Sequence, residues 1–288
     1  MAQPRVSRSR SKRNSLPKPF LKWAGGKRQL LLELLKRVEA AGDFGRYHEP
    51  FIGGGALFFA MYGTDKLGLK QAYLSDNNSR LIETYRALAE DAESVIGELE
   101  SHAANHSDAY YYRVRAASPE ALVERAARII YLNRTCYNGL YRENSRGEFN
   151  VPVGRYANPT ICDAPNLRAV AKALQRAKVE CRHFETVLNR ANPGDLVYFD
   201  PPYVPVSRTA SFTAYDRGGF GEAEQRRLAS VYVELAKNGV KVLLSNSMTP
   251  LVRELYKDFR IETIYANRAV NSRADRRGKV PEALVRNF

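Results

Sequence analysis

Apolar residues first recur at helical spacing at Leu30, Leu31, Leu34, Leu35 and Val38, and Gly42 closes that pattern. A short strand is predicted over residues 47–51, followed by glycines and an apolar segment of helical character over 56–62. A second short strand over 72–75 ends at Asp76. Strand, glycine turn, helix, strand, acid is the sequence form of a nucleotide-binding βαβ unit. From about 77 to 178 helical patterns dominate, notably at 81–88, 93–100 and 121–133. Ser118-Pro119-Glu120 reads as the start of the last helix, with serine as cap and proline at its first position. Asn144-Ser145-Arg146-Gly147 reads as a turn between short extended pieces, the second ending at 149–153.

Alternation of strands and helices resumes after about residue 179. The apolar run at 196–199 suits a strand buried on both faces. A helix over 221–238, a strand over 240–245, a helix over 250–259 and a strand over 261–266 follow. Residues 283–288 are predicted to pair with that last strand across a basic loop. A fragment with two strands cannot bury a stable sheet alone, so its other strands must come from the second half. The economical architecture is one α/β domain interrupted by a helical insert.

Charge changes this picture more than composition does. The chain of 288 residues carries a formal charge of +14, which favours an anionic partner, nucleic acid being the commonest. The opening segment holds Arg5, Arg8, Arg10, Lys12 and Arg13 among serines and prolines, with no acid before Glu33. It lacks the apolar core of a secretory signal and is expected to be a disordered basic tail, ahead of an organellar transit peptide. No apolar run suffices to cross a bilayer, the leucine-rich stretch at 30–35 being broken by Glu33. Cys136, Cys162 and Cys181 lie far apart, and the histidines do not cluster, so neither disulfides nor a metal is expected, as in a cytoplasmic protein.

Candidate chemistry begins with Asp200-Pro201-Pro202-Tyr203, directly after the apolar strand. A carboxylate at the carboxyl end of a buried parallel strand lies where open α/β sheets bind ligands. Two prolines stiffen the backbone and hold its carbonyls in place. With the aromatic ring that follows, the set suits a planar heterocycle bearing an exocyclic amine. The plainer alternative is a proline-kinked loop in which Asp200 only caps a turn. Second is Glu49-Pro50-Phe51-Ile52-Gly53-Gly54-Gly55, whose glycines allow a tight turn and close approach to a ligand. Asp76 lies at the distance expected for a ribose-hydroxyl acceptor, and the absence of a following Gly-Lys-Ser/Thr disfavours a triphosphate site. Third is Lys22-Trp23-Ala24-Gly25-Gly26-Lys27, where the only tryptophan sits beside glycines and Lys27 is suited to hold a carboxylate.

These three elements, in this order, resemble the DNA adenine methyltransferase (Dam) family, the D12 or alpha-type class. The resemblance runs from about Pro19 to the C-terminus. Within the insert, Tyr131-Leu132-Asn133-Arg134, Tyr137-Asn138-Gly139-Leu140, Arg142-Glu143-Asn144 and the run from Arg146 to Tyr156 are similar to the segment with which that family reads its site. Phe212-Thr213-Ala214-Tyr215, after the acidic motif, is similar as well. Tyr141, Glu143 and the spellings around Gly54 and Asn77 depart slightly from the commonest family forms.

The resemblance implies a Rossmann-like S-adenosylmethionine-dependent methyltransferase domain with an inserted, mainly helical target-recognition domain containing a β-hairpin. Residues 1–18 would be the tail, 19–78 and 179–288 the catalytic domain, and 79–178 the recognition domain. Trp23, Lys27, Glu49, Phe51, Gly53, Gly55, Asp76 and Asp200 would surround S-adenosylmethionine. Asp200, Pro201, Pro202 and Tyr203 would receive the adenine amine. Lys22, Arg134, Tyr137, Asn138, Leu140, Arg142, Pro152 and Arg155 would contact DNA, with Tyr137 wedging into the base stack and Asn138 helping to extrude the adenine. Arg142 is the preferred base reader, while Arg134, Arg146 and Arg155 are equally suited to phosphates. The implied partner is double-stranded DNA containing GATC, with no metal, no membrane and no obligate protein partner. An RNA acceptor, another DNA sequence, a protein amide, a non-catalytic DNA-binding role and nucleotide hydrolysis are the competing readings, the last failing on the missing phosphate-binding lysine motif.

Overall fold

The computed structural model describes residues 16–23, 27, 30–64, 69–204, 220–267 and 279–288. Most of the basic tail, Ala24-Gly25-Gly26, Phe212-Thr213-Ala214-Tyr215 and the basic loop before the last strand lie outside the described residues.

The leucine pattern forms α1 (Leu31–Ala40), with Leu34 and Val38 buried. Strand β1 (Tyr47–Glu49), helix α2 (Ala56–Tyr62) and strand β2 (Ala72–Asp76) follow. Five helices form the middle: α3 (Ser79–Glu90), α4 (Ala92–Ala104), α5 (Asp108–Ala116), α6 (Leu122–Thr135) and α7 (Ala164–Leu174). Then come β3 (Ala177–Cys181), β4 (Leu196–Phe199), α8 (Glu222–Lys237), β5 (Lys241–Ser247), α9 (Pro250–Leu255), β6 (Arg260–Asn267) and β7 (Lys279–Arg286).

These strands make one 7-stranded sheet in the order β3-β2-β1-β4-β5-β7-β6. The first five run parallel, and β7 is antiparallel to both β5 and β6. Strand order reverses between β1 and β4, which opens a crevice at their carboxyl ends. Successive residues of the central strands feed opposite cores. Leu196, Tyr198 and Leu243 join the cluster under α1, α2 and the middle helices, whereas Val197, Phe199, Val242 and Leu244 join the cluster under α8 and α9. Residues of α3, α4, α6 and α7 share the first cluster with Phe20, Leu34 and Phe58, so the core beneath residues 79–178 is continuous with the sheet.

Several details differ from the sequence expectations. Helix α6 begins at Leu122 with Ala121 in the cap position and no side-chain cap bond, so Ser118 and Pro119 belong to the connector. Proline disfavours helical conformation in the residue before it, which keeps Ser118 out of a helix. Helix α9 stops at Leu255, and β5 continues to Ser247. The hairpin in the insert is held by isolated antiparallel bridges, Glu143 to Phe149 and Cys136 to Val153, rather than by regular strands. Its turn closes with Gly147 N donating to Asn144 O at 3.0 Å. Among the described residues no helix is long and apolar enough to cross a membrane.

Candidate functional site

The crevice is floored by the glycine turn after β1. Gly53 and Gly55 take positive φ, +46° and +67°, a region that a side chain makes costly. A Cβ at Gly53 would lie 2.9 Å from Trp23 Cδ1, and one at Gly55 would lie 2.8 Å from the Tyr85 hydroxyl. The tryptophan therefore packs directly on the turn. Asp76, at the end of β2, accepts from Gly53 N at 3.2 Å and Asn78 N at 3.0 Å, while Tyr85 donates to Gly53 O at 3.0 Å. Burial raises the Asp76 carboxyl above its ordinary value, and the amide donors oppose that rise.

Glu49 supports the helix that follows this turn, and Phe51 packs against the second core. The Glu49 carboxyl is 2 % exposed, accepts from the Tyr47 hydroxyl at 2.8 Å and from the Phe58 amide in the first turn of α2. Helix α2 has Gly55 at its cap and no side-chain cap of its own, so Glu49 satisfies an amide that would otherwise lack a partner. Burial pushes its carboxyl well above the usual range. Phe51 stacks on Phe184 at 5.4 Å between centroids and meets Phe199 and Phe220 edge-on.

Across the switch point, β4 delivers Asp200. Its Oδ1 lies 2.8 Å from Lys27 Nζ and accepts from Ser245 Oγ at 2.9 Å. Ser245 in turn bonds the Tyr198 hydroxyl at 3.0 Å. The Lys27 ammonium also sits over the Tyr203 ring, 4.1 Å from its centroid. Carboxylate, cation and aromatic face thus converge on one point. Burial raises Asp200 above the ordinary aspartate value, opposed by Lys27 and by the Ser245 hydrogen bond. The sequence suits Lys27 to hold a carboxylate, and in the fold it pairs with that of Asp200.

The segment before Lys27 joins this crevice to the insert. Buried Asn133, at the end of α6, accepts from Lys22 N at 2.7 Å and donates to Lys22 O at 2.8 Å and Gly139 O at 3.0 Å. Lys22 Nζ lies 3.3 Å from the Tyr156 hydroxyl. Next in the chain, Trp23 faces Tyr141 with centroids 5.0 Å apart. The Tyr141 hydroxyl bonds Glu143, which pairs with Arg80 of α3.

Beyond that junction the short 3-10 turn Tyr137–Gly139 projects outward, with Asn138 at φ 55°. Tyr137 is 52 % and Leu140 45 % exposed, three residues apart in the chain. Asn138, Arg142, Pro152 and Arg155 are exposed beside them. Arg142 is pre-oriented by Asn150, whose Oδ1 accepts from its Nε at 2.7 Å. Arg134 differs from these: its guanidinium is desolvated, which lowers its pKa, and Asp163 is the charge that opposes the shift.

Several residues of this site carry no motif. Ser245 touches Asp200, Glu282 touches Tyr203, and Gln225 and Asn246 bond the main chain on either side of Tyr203, and only the polar run Ser245-Asn246-Ser247 closing an apolar strand hints at them in sequence. Among the described residues, no group of three or more His, Cys, Asp or Glu side chains is placed to hold a metal ion.

Comparison with known proteins identifies the family of the chain. Residues 23–270 match the family model for D12 class N6 adenine-specific DNA methyltransferase. A type II methyltransferase of Lactococcus lactis subsp. cremoris, M1.LlaDCHI, is 42 % identical over 279 residues, covering 94 % of this chain and 95 % of that protein. M.MjaIII, a type II methyltransferase of Methanocaldococcus jannaschii, is 41 % identical over 288 residues, covering 94 % and 99 %. The DNA adenine methylase of Escherichia coli K12 is 37 % identical over 270 residues, covering 92 % and 94 %.

Proposed function

The chain belongs to the D12 class of N6 adenine-specific DNA methyltransferases, and from that premise we propose that it methylates the adenine of GATC in duplex DNA, with S-adenosylmethionine as donor. The observation that carries the reading is the convergence of Asp200, Lys27 and Tyr203 on one point, joined through Trp23 and Lys22 to an exposed turn bearing Tyr137, Asn138, Leu140 and Arg142.

The crevice fits a nucleoside-bearing donor. Trp23 offers an aromatic wall against Gly53, the glycine turn leaves room for close approach, and Asp76 stands at the end of β2 as a hydroxyl acceptor. When bound there, S-adenosylmethionine supplies an electrophilic methyl group. The residues of the chain do the rest. The adenine amine is a poor nucleophile because its lone pair is delocalised into the ring. Asp200 and the Pro201 carbonyl accept its two N–H bonds and favour a pyramidal nitrogen. As positive charge develops on that nitrogen, a carboxylate already in place stabilises it without reorganisation. Tyr203 stacks on the extruded base, and Tyr137 fills the gap left behind, offsetting the few kcal/mol that unstacking costs. Residues 79–178 would form the recognition domain of this division of labour, with residues 19–78 and 179–288 as the catalytic one. Arg142 would read guanine O6 and N7, worth about 1–3 kcal/mol of discrimination. Arg155 would meet phosphate.

The test is methylation of a duplex containing GATC with labelled S-adenosylmethionine, against the same duplex with that adenine moved out of context. Label confined to the intact site is expected. Incorporation without site preference overturns the specificity alone, and incorporation only into RNA overturns the choice of acceptor.

The Lys27–Asp200 pair predicts a pH effect. Burial alone pushes the Asp200 pKa upward, and the ammonium opposes it. Transfer requires the carboxylate, so the rate should rise with pH through the Asp200 pKa. In Lys27→Gln that opposition is gone, and the acid limb of the single-turnover rate should move to higher pH. Measured at saturating donor, an unmoved limb would show that Lys27 does not tune Asp200.

A further inference from the structure

The loop that carries the base-stacking ring is short of backbone donors. Pro201 and Pro202 have no N–H, so ordinary turn hydrogen bonds cannot hold it. Two fully buried carboxamides hold it instead. Gln225 Nε2 donates to Pro202 O at 2.8 Å, and Val204 N donates to Asn246 Oδ1 at 3.1 Å. The two side chains are joined by Asn246 Nδ2 donating to Gln225 Oε1 at 3.0 Å. This chain of bonds leaves the loop on one side of Tyr203 and returns on the other. The far end of the ring is held too: the Tyr203 hydroxyl donates to Glu282 Oε2 at 2.8 Å.

Nothing in the packing asks for these polar groups. Gln225 lies on the face of α8 that otherwise buries Leu228, Ala229, Tyr232 and Leu235. Asn246 follows the apolar run Val242, Leu243 and Leu244 in β5. Gln225 is 1 % and Asn246 0 % exposed, so each must keep its hydrogen-bonding groups paired or be strongly unfavourable. Asn246 Oδ1 also accepts from the neighbouring Ser247 N at 2.8 Å, and the target the two carboxamides share is the main chain flanking one aromatic ring.

Resting on the methyl-transfer reading above, we propose that Gln225, Asn246 and Glu282 are positioning residues for the reaction. They fix the plane of Tyr203, and with it the direction in which the adenine amine faces Asp200 and the donor. They touch neither substrate nor donor. Their effect falls on the rate of transfer from the bound complex, because a stacked base rotated by a few degrees no longer aims its lone pair in line.

Gln225→Glu tests this with little change of shape. As a carboxylate the new side chain turns an oxygen toward the Pro202 carbonyl, and as a carboxylic acid it regains a donor for it. The single-turnover rate at saturating donor and duplex should fall by ~100-fold at alkaline pH, the scale of a small misplacement of reacting groups. The ratio of variant to parent rate should then climb as pH falls, although the parent itself slows. Donor and duplex affinities should stay within about threefold, assayed below both melting temperatures. Glu282→Ala, on a partly exposed strand position, removes one partner of the Tyr203 hydroxyl and leaves Ser245 as another, and should slow transfer by roughly tenfold with the same affinities. A rate ratio that ignores pH in Gln225→Glu, or an unchanged single-turnover rate in Glu282→Ala, overturns the proposal. Should Gln225→Glu fail to fold, Glu282→Ala decides alone. A parent protein that methylates no DNA instead overturns the reading on which the proposal rests.

Discussion

Asp200→Asn should lower the single-turnover rate of methyl transfer by ~10²–10³-fold or more while leaving S-adenosylmethionine affinity within a few-fold. The substitution keeps the size of the side chain and one acceptor oxygen. It removes the negative charge that meets the positive charge developing on the adenine nitrogen. It also introduces an amide N–H that faces either the substrate amine or Lys27, both of which are donors. Lys27, 7 % exposed and 2.8 Å from Asp200 in the parent, loses the charge of that carboxylate, so a modest fall in melting temperature should accompany the loss. The acid limb of the rate profile should vanish with the carboxylate that produces it. Rapid-quench transfer to a GATC duplex, with donor binding by calorimetry on the same preparation, separates these effects. Turnover within about tenfold of the parent would remove Asp200 from the chemistry.

That this aspartate could be found without coordinates reflects where it stands. An apolar run ending in an acid and two prolines is a local pattern, and a parallel strand places its end at the crevice wherever the strand sits in the sheet. The glycine turn and Asp76 are legible for the same reason, since positive φ at Gly53 and Gly55 is a demand of the local backbone. Glu49 was legible as a member of that motif, but its burial and its bond to the α2 amide depend on how β1 and α2 fold together. The Gln225–Asn246 pair lies 21 residues apart in the chain and meets only because α8 packs over β5. In sequence Gln225 is a lone amide on a helix, and Asn246 shows only as part of a short polar run closing an apolar strand. The cap of α6 fails for another reason: Ser118-Pro119-Glu120 has the local form of a helix start, yet Ala117 and Ala121 are both extended, with ψ of 150° and 137°. The connector between α5 and α6 uses that form for a turn of direction.

Asn133→Ala should be the most damaging change outside the crevice, because one side chain there holds three backbone groups. Asn133 is 0 % exposed, and its amide meets Lys22 N, Lys22 O and Gly139 O at 2.7, 2.8 and 3.0 Å. Alanine would leave those groups without it, at a cost of about 1–3 kcal/mol for each that water cannot reach. A net loss of about 2–4 kcal/mol is expected, visible as a lower denaturation midpoint with unchanged slope. Function should change in a way that packing loss alone would not produce. Lys22 precedes Trp23, which lies against Gly53, and Gly139 lies in the turn that presents Tyr137 and Leu140. Freed from Asn133, both ends of this junction loosen together, so donor affinity and preference for GATC should fall in the same variant. Arg142→Ala, by contrast, should relax preference and leave donor affinity intact, since its side chain meets only Asn150 among the described residues. If Asn133→Ala loses stability but keeps both donor affinity and site preference, the amide serves α6 alone. The turn would then take its position from the close packing of Gly139 on the Lys22 side chain, where a Cβ would come within 2.8 Å of Lys22 Cβ.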